Sequence, residues 1–249
     1  MRRLLALTVA VVCLFAVPAS AQVAFDAWSR DTTPGVGDQS YTHTPVGTPR
    51  GVIVFVGVTT SADEITGATY GGTAMTEMTG SPNLLAGGEQ GGAHAYFLGA
   101  SVPTGAQTVA ITTSASVGTN QIYTITLTAG GNTEIVDVDA TVNSASAANP
   151  SVTLSLTSRT SFAALVAWSG QNAVADITEL AGWTNRHEIT TGTESIGNYT
   201  YDTVSTADVT AGWTQAAEDA VMIAVAVAQV AGGGSDLNPG GLGLLGAGR

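Results

Sequence analysis

The sequence predicts an all-β protein, an antiparallel β-sandwich of about a dozen short strands, on three observations. Apolar side chains alternate with small polar ones over stretch after stretch, the period that sends successive side chains to opposite faces of a strand. Clusters of Gly, Pro, Asn, Ser and Asp separate these stretches at intervals of roughly 8 to 12 residues, as turns do in sandwiches and barrels. The spacing of an amphipathic helix is nearly absent.

Taken in chain order, GVIVFVGV at residues 51–58 is apolar on both alternating faces, as expected of a central strand covered on each side. In GATYGGTAMT at 67–76, Gly71 and Gly72 sit between two short strand-like runs, and both can take positive φ without a Cβ clash, which predicts a two-residue hairpin. A phosphate-cradling loop would need a lysine and a following helix, and this stretch has neither. Tyr123, Ile125 and Leu127 alternate with Thr124, Thr126 and Thr128, and Val152, Leu154 and Leu156 with Thr153, Ser155 and Thr157, which predicts one core face and one hydroxyl-bearing surface in each strand. The last strand, within residues 221–230, sorts Val221, Ile223, Val225 and Val227 onto one face and Met222, Ala224, Ala226 and Ala228 onto the other. Pro82, Pro103 and Pro150 fall in connections, where a missing N–H costs no ladder bond. AGWT occurs at 181–184 and 211–214, but the flanking residues diverge at once, so the two read as similar strand starts with tryptophan plugging the core.

The runs GVIVFVGVTT, ITGATYGGTAMTEM, AHAYFLGAS, AGWTNRHEITTG and AVMIAVAVAQV together resemble a class of exported bacterial and phage-associated β-sandwich domains of jelly-roll, lectin-like or laminin-G-like architecture. The resemblance covers residues 39–230 and implies a jelly-roll-like sandwich. It brings no catalytic residues with it.

Arg2 and Arg3, an apolar run over residues 4–17, and Pro18 followed by Ala19, Ser20 and Ala21 have the charged, apolar and small-residue order of a secretory signal peptide cleaved after Ala21. The apolar run is short of the ~18 residues of a membrane span. The expected organisation is therefore a signal peptide at 1–21, a single sandwich domain at 22–231 and a Gly-rich flexible tail at 232–249. The tail's closing residues also have the flavour of a sorting tag. The one cysteine, Cys13, lies in the apolar run, so a cleaved chain has no disulfide, no thiolate metal site and no cysteine nucleophile.

There is no lysine, the formal net charge is −12, and loss of Arg2 and Arg3 makes it two units more negative. Arg30, Arg50, Arg159, Arg186 and Arg249 are scattered singly, which argues against a phosphate-neutralising nucleic-acid surface and against anionic membranes. Charged residues make up 10% of the chain, against about 25% in ordinary soluble proteins. A neutral exterior of Thr, Ser, Ala and Gly remains, of a kind that packs against copies of itself or against neutral polymers.

Chemistry-bearing residues are few. His43, His94 and His187 have no metal-ligand spacing, and Gly192 to Gly197 lacks the Gly-x-Ser-x-Gly spacing of a nucleophile elbow. Glu134, Asp137 and Asp139 form the densest acidic group; simple solvation of an outward strand face explains them, and as a candidate calcium site they would need oxygens from other segments. Among the tryptophans, Trp168 shares a face with Phe162, Ala164 and Val166 and belongs to the core, which leaves Trp183 with Tyr201 as the candidate glycan platform. The expectation is a secreted or envelope-associated bacterial module, structural or adhesive and not an enzyme, with self-association or surface glycans as partners, no nucleic acid and no membrane span after cleavage. The alternative is a carbohydrate-binding, lectin-like domain, calcium-assisted or not, and behind it a jelly-roll glycan hydrolase or lyase.

Overall fold

The computed structural model describes residues 23–33, 35–85, 90–115, 120–129, 135–147, 149–154, 161–170, 178–191, 194–205, 208–215 and 217–229. The expected signal peptide, the Gly-rich tail and the end of the expected 151–157 strand beyond Leu154 lie outside them. Among the described residues there is no helix, and eighteen strands pair antiparallel throughout.

The first half of the chain contributes β1 (Val23–Arg30), β2 (Gln39–His43), β3 (Gly51–Val58), β4 (Ile65–Tyr70), β5 (Thr73–Ala74), β6 (Thr76–Glu77), β7 (Asn83–Leu84), β8 (Gly92–Leu98), β9 (Gln107–Thr113) and β10 (Asn120–Ala129). Its larger sheet runs β1-β10-β3-β8-β6, with β7 also on β8, and its smaller sheet runs β2-β9-β4-β5. The second half contributes β11 (Ile135–Ala147), β12 (Ser151–Leu154), β13 (Ser161–Gly170), β14 (Thr178–Glu179), β15 (Thr184–Thr191), β16 (Glu194–Ser205), β17 (Val209–Thr214) and β18 (Glu218–Gln229). Its sheets run β11-β18-β13-β16-β15 and β12-β17-β14. The two halves repeat one order: β11, β18, β13 and β16 stand where β1, β10, β3 and β8 stand, and β12-β17-β14 where β2-β9-β4 stands.

The antiparallel sandwich expected from the sequence is what the chain forms, but with four layers instead of two. Each half is a sandwich, and the two larger sheets pack face to face. The central layer joins Ile53, Phe55, Tyr123 and Ile125 of the first half to Val166, Trp168, Ile223 and Val225 of the second. The outer layer of the first half is built on Val52, Val54, Val56, Tyr70, Val109 and Ile111. That of the second is built on Leu165, Tyr199, Trp213, Met222, Ala224 and Trp183. Both larger sheets are thus covered on both faces, which is why β3 is apolar at every position and why β18 pairs a Val/Ile face with a Met/Ala face. Burying one aliphatic or aromatic side chain contributes about 1.5–3 kcal/mol, and three such layers supply the stability that a chain without disulfides must find in its core.

The Gly71-Gly72 corner is the predicted hairpin: φ is +57° and +78°, and Tyr70 pairs with Thr73 across it. Trp168 is buried in the central layer, as its strand neighbours indicated. One face was misjudged. Thr124 and Thr126, expected as hydroxyl-bearing surface, are fully buried, because the smaller sheet of the first half covers them. Their hydroxyls find partners there instead of water.

Candidate functional site

Among the described residues, three of the places where polar side chains interrupt the apolar layers carry a histidine. The first lies at the β1–β2 edge of the first sandwich. The β1 ladder slips between Phe25 and Ala27, which takes Asp26 out of the regular alternation. Asp26 Oδ2 accepts a hydrogen bond from Thr126 Oγ1 at 2.9 Å, and its Oδ1 accepts from the Gly47 N–H at 2.6 Å. Because the Thr126 proton points to the carboxylate, its oxygen is left to accept from His43 Nε2 at 3.1 Å. His43 Nδ1 then accepts from Ser29 Oγ at 2.6 Å. Tyr41 donates to Thr124 Oγ1 at 2.6 Å alongside. Burial pushes the His43 imidazole down to about 4, with Asp26 pulling the other way.

This is a serine–histidine–threonine–aspartate chain that no local motif announces, assembled from β1, β2 and β10. Its order resembles a nucleophile–base–orienter arrangement with one hydroxyl inserted. His43 is 1% exposed with both ring nitrogens engaged, so the chain satisfies the buried Thr126 and half-buried Ser29 hydroxyls and ties the two edge strands together.

The second place is the seam between the two sandwiches. His187 lies on β15 where that ladder slips between Asn185 and His187. Its ring is 5.9 Å from that of Tyr123 and 6.4 Å from that of Trp28, centroid to centroid. The Arg186 guanidinium sits 3.9 Å over the Phe25 ring, and its Nε donates to Thr200 Oγ1 at 2.7 Å. Burial, then the Arg30 charge, lowers His187 to about 4. Arg30 and Arg186, solitary in sequence, are thus brought to one seam. Two buried hydrogen bonds also cross between the halves: Tyr123 Oη donates to the Ile196 carbonyl at 3.0 Å, and Asn83 Nδ2 to the Met222 carbonyl at 2.9 Å.

The third place is the β6–β8 edge, where Glu77 stands opposite Tyr96. Ser81 Oγ donates to Glu77 Oε1 at 2.8 Å, and His94 Nδ1 lies 3.4 Å from the same oxygen. The hydrogen bond with His94, opposed by partial burial and aided by Ser81, holds the Glu77 carboxyl below its usual range. Glu77 borders a cleft of about 420 Å³ whose walls include Thr76, Thr79, Phe97, Leu98 and Ala100.

The residues singled out by sequence fare differently. Trp183 and Tyr201 do come together, with centroids 5.6 Å apart and planes 55° apart. Trp183 is 6% exposed and its Nε1 donates to the Thr210 carbonyl at 2.9 Å, so the ring sits in the core, as the reading of the two AGWT tryptophans as core plugs has it, and not at the surface as a glycan platform. It fills the second half's outer layer beneath the β12-β17-β14 sheet, alongside the other AGWT tryptophan, Trp213. Tyr201 is half-buried against the same layer. Of the candidate calcium ligands, Glu134 lies outside the described residues. The β11 backbone sets Asp137 opposite Val227 and Asp139 opposite Val225. Among the described residues no group of three or more His, Cys, Asp or Glu could hold a metal ion. No helix among them is long and apolar enough to cross a membrane.

Fold and sites define a stacked, all-β, antiparallel sandwich protein with internally paired polar chains and one carboxylate-lined cleft among the features described above. No family model matches the chain, and the searches of curated proteins and of solved structures likewise find no match.

Proposed function

We propose that this chain is an exported, non-catalytic structural or adhesive module that works outside a bacterial cell, in the envelope, a matrix or an appendage. The observation that carries the reading is the orientation of its chemistry. His43 and His94 are buried, and the Ser29–His43–Thr126–Asp26 chain serves to satisfy interior hydroxyls, so polar groups brace the stack. With charged residues only 10% of the chain, Thr, Ser, Ala and Gly make up much of an exterior suited to lateral packing, and the net charge of −12 makes that packing dependent on salt. The strand order of both halves supports a jelly-roll-like unit used twice, in keeping with the exported sandwich class that the sequence resembles.

Sedimentation of the secreted protein over a concentration series, together with retention on bacterial surface material, tests this reading. Concentration-dependent ordered assembly or surface retention is expected. Release of reducing ends from polysaccharides by the purified protein would overturn the non-catalytic part. A second reading, a carbohydrate-binding domain, is favoured by the Glu77 cleft. A calcium-assisted form of it through Glu134, Asp137 and Asp139 requires glycan retention that disappears with a chelator.

A further inference from the structure

We infer that the Glu77 cleft is a binding site for a neutral sugar unit, an assignment that rests on the second reading above. Three observations carry it. The cleft's volume, about 420 Å³, falls in the range of about 300–1,000 Å³ typical of small-ligand sites. Its wall is amphipathic in the way a pyranose is: the half-buried Leu98, on the same face of β8 as Tyr96 and therefore as Glu77, offers an apolar surface to ring C–H groups, and the exposed Thr79 carries a hydroxyl, while Phe97 packs toward the central layer on the opposite face.

The third observation is the way Glu77 is held. Ser81 and His94 both engage Oε1, which fixes the carboxylate plane and leaves Oε2 to accept from sugar hydroxyls. Ser81 is itself fixed, since its Oγ accepts the Ala95 N–H at 3.0 Å. His94 is fully buried with no hydrogen-bond partner at Nε2, so its polar engagement is with Glu77. A buried imidazole with one nitrogen unpaired costs free energy, and orienting a carboxylate at the rim of a cleft is a role that accounts for it. An ionised carboxylate accepts hydrogen bonds only, and the hydroxyls of a neutral sugar supply the donors.

The test is saturation-transfer NMR on the full-length secreted protein with the methyl glycosides of glucose, galactose, mannose and N-acetylglucosamine, and with ethylammonium as a cation probe. At least one glycoside is expected to receive transfer, and that transfer should fall at least fivefold in Glu77→Gln and in Leu98→Ala. If Glu77→Gln does not fold, Thr79→Trp fills the cleft from an exposed position and serves for the same comparison. No transfer to any glycoside, transfer unchanged in the variants, or transfer to ethylammonium alone would each overturn the inference. Retention on polysaccharide separates this cleft from the reading it rests on: retention that is unchanged in Glu77→Gln overturns the cleft assignment alone, and no retention of any glycan overturns the carbohydrate-binding reading with it.

Discussion

Gly57 of β3 lies directly beneath Ile196 of β16, so close that a Cβ on residue 57 would overlap Ile196 Cγ2. The contact spans the central layer, and it shows that the two sandwiches meet as packed surfaces with side chain seated on backbone. Gly57→Val is therefore expected to destabilise by about 1–3 kcal/mol through overpacking. Ile196→Ala should cost about 2–5 kcal/mol through the cavity it leaves. The double variant should lose less than the sum, because the cavity accommodates the added methyls. Denaturant unfolding of all four proteins measures the coupling, and strict additivity would contradict the contact.

Tyr123 and Ile196 offer an independent probe of the same junction. Tyr123→Phe removes the hydrogen bond to the Ile196 carbonyl while keeping the ring in place, and is expected to cost about 0.5–1.5 kcal/mol. Burial raises the Tyr123 phenol far above its ordinary range. Alkaline difference spectra should therefore show this tyrosine titrating only as the protein unfolds.

Acid should weaken the protein through His43 and His187. His43 titrates near 4 when folded against 6.5 when exposed, because burial disfavours the cation. Between those two values the unfolded chain binds the extra proton, so stability is complete above pH 6.5 and falls as the pH drops toward 4. His187, also near 4, adds in the same sense. In His43→Gln the slope of unfolding free energy against pH across this window should fall by up to about 1.4 kcal/mol per pH unit, the contribution of one proton. An unchanged slope in chemical denaturation at pH 4.5, 5.5 and 6.5 would contradict it.

Trp183 should behave as a core residue. Trp183→Ala is expected to destabilise by about 3–5 kcal/mol, since the ring fills the outer layer against Tyr201 and its N–H satisfies the Thr210 carbonyl. Any glycan retention should survive the change in whatever fraction remains folded. Loss of retention with unaltered stability would restore the sequence-based view of this tryptophan as a platform.

Export is checked most directly at the N-terminus. Expression in a bacterial host with an intact secretion pathway should yield a mature chain beginning at Gln22 by mass spectrometry. Retention of Met1 or of residues 2–21 in the folded product would contradict the signal-peptide reading.

Much of the candidate chemistry was hidden from a linear reading, for reasons particular to the residues involved. Ser29, His43, Thr126 and Asp26 come from three strands, with Thr126 a hundred positions after Asp26. No spacing rule connects them, and the β1 bulge that turns Asp26 toward Thr126 leaves no motif in the sequence. Glu77 and Ser81 lie four positions apart, yet the partner that makes Glu77 notable, His94, arrives only with the neighbouring strand. Trp183 admitted two readings, core plug and glycan platform, because its cover, the β12-β17-β14 sheet, is made of short segments with weak patterns of their own.

By itself the sequence determined what depends on neighbours along the chain: strands from period-two alternation, the Gly71-Gly72 corner from positive φ, and the inward faces of Tyr123, Ile125, Val221 and Ile223. Tertiary structure alone decided that the sandwich is doubled and stacked, that Thr124 meets the Tyr41 hydroxyl and Thr126 the Asp26 carboxylate and His43 ring instead of water, and that Glu77 borders a cleft. The reason is physical. Backbone geometry sends alternate side chains to opposite faces wherever a strand forms, but what lies beyond each face is set by sheets contributed from distant parts of the chain, and threonine or alanine is at home against either water or protein.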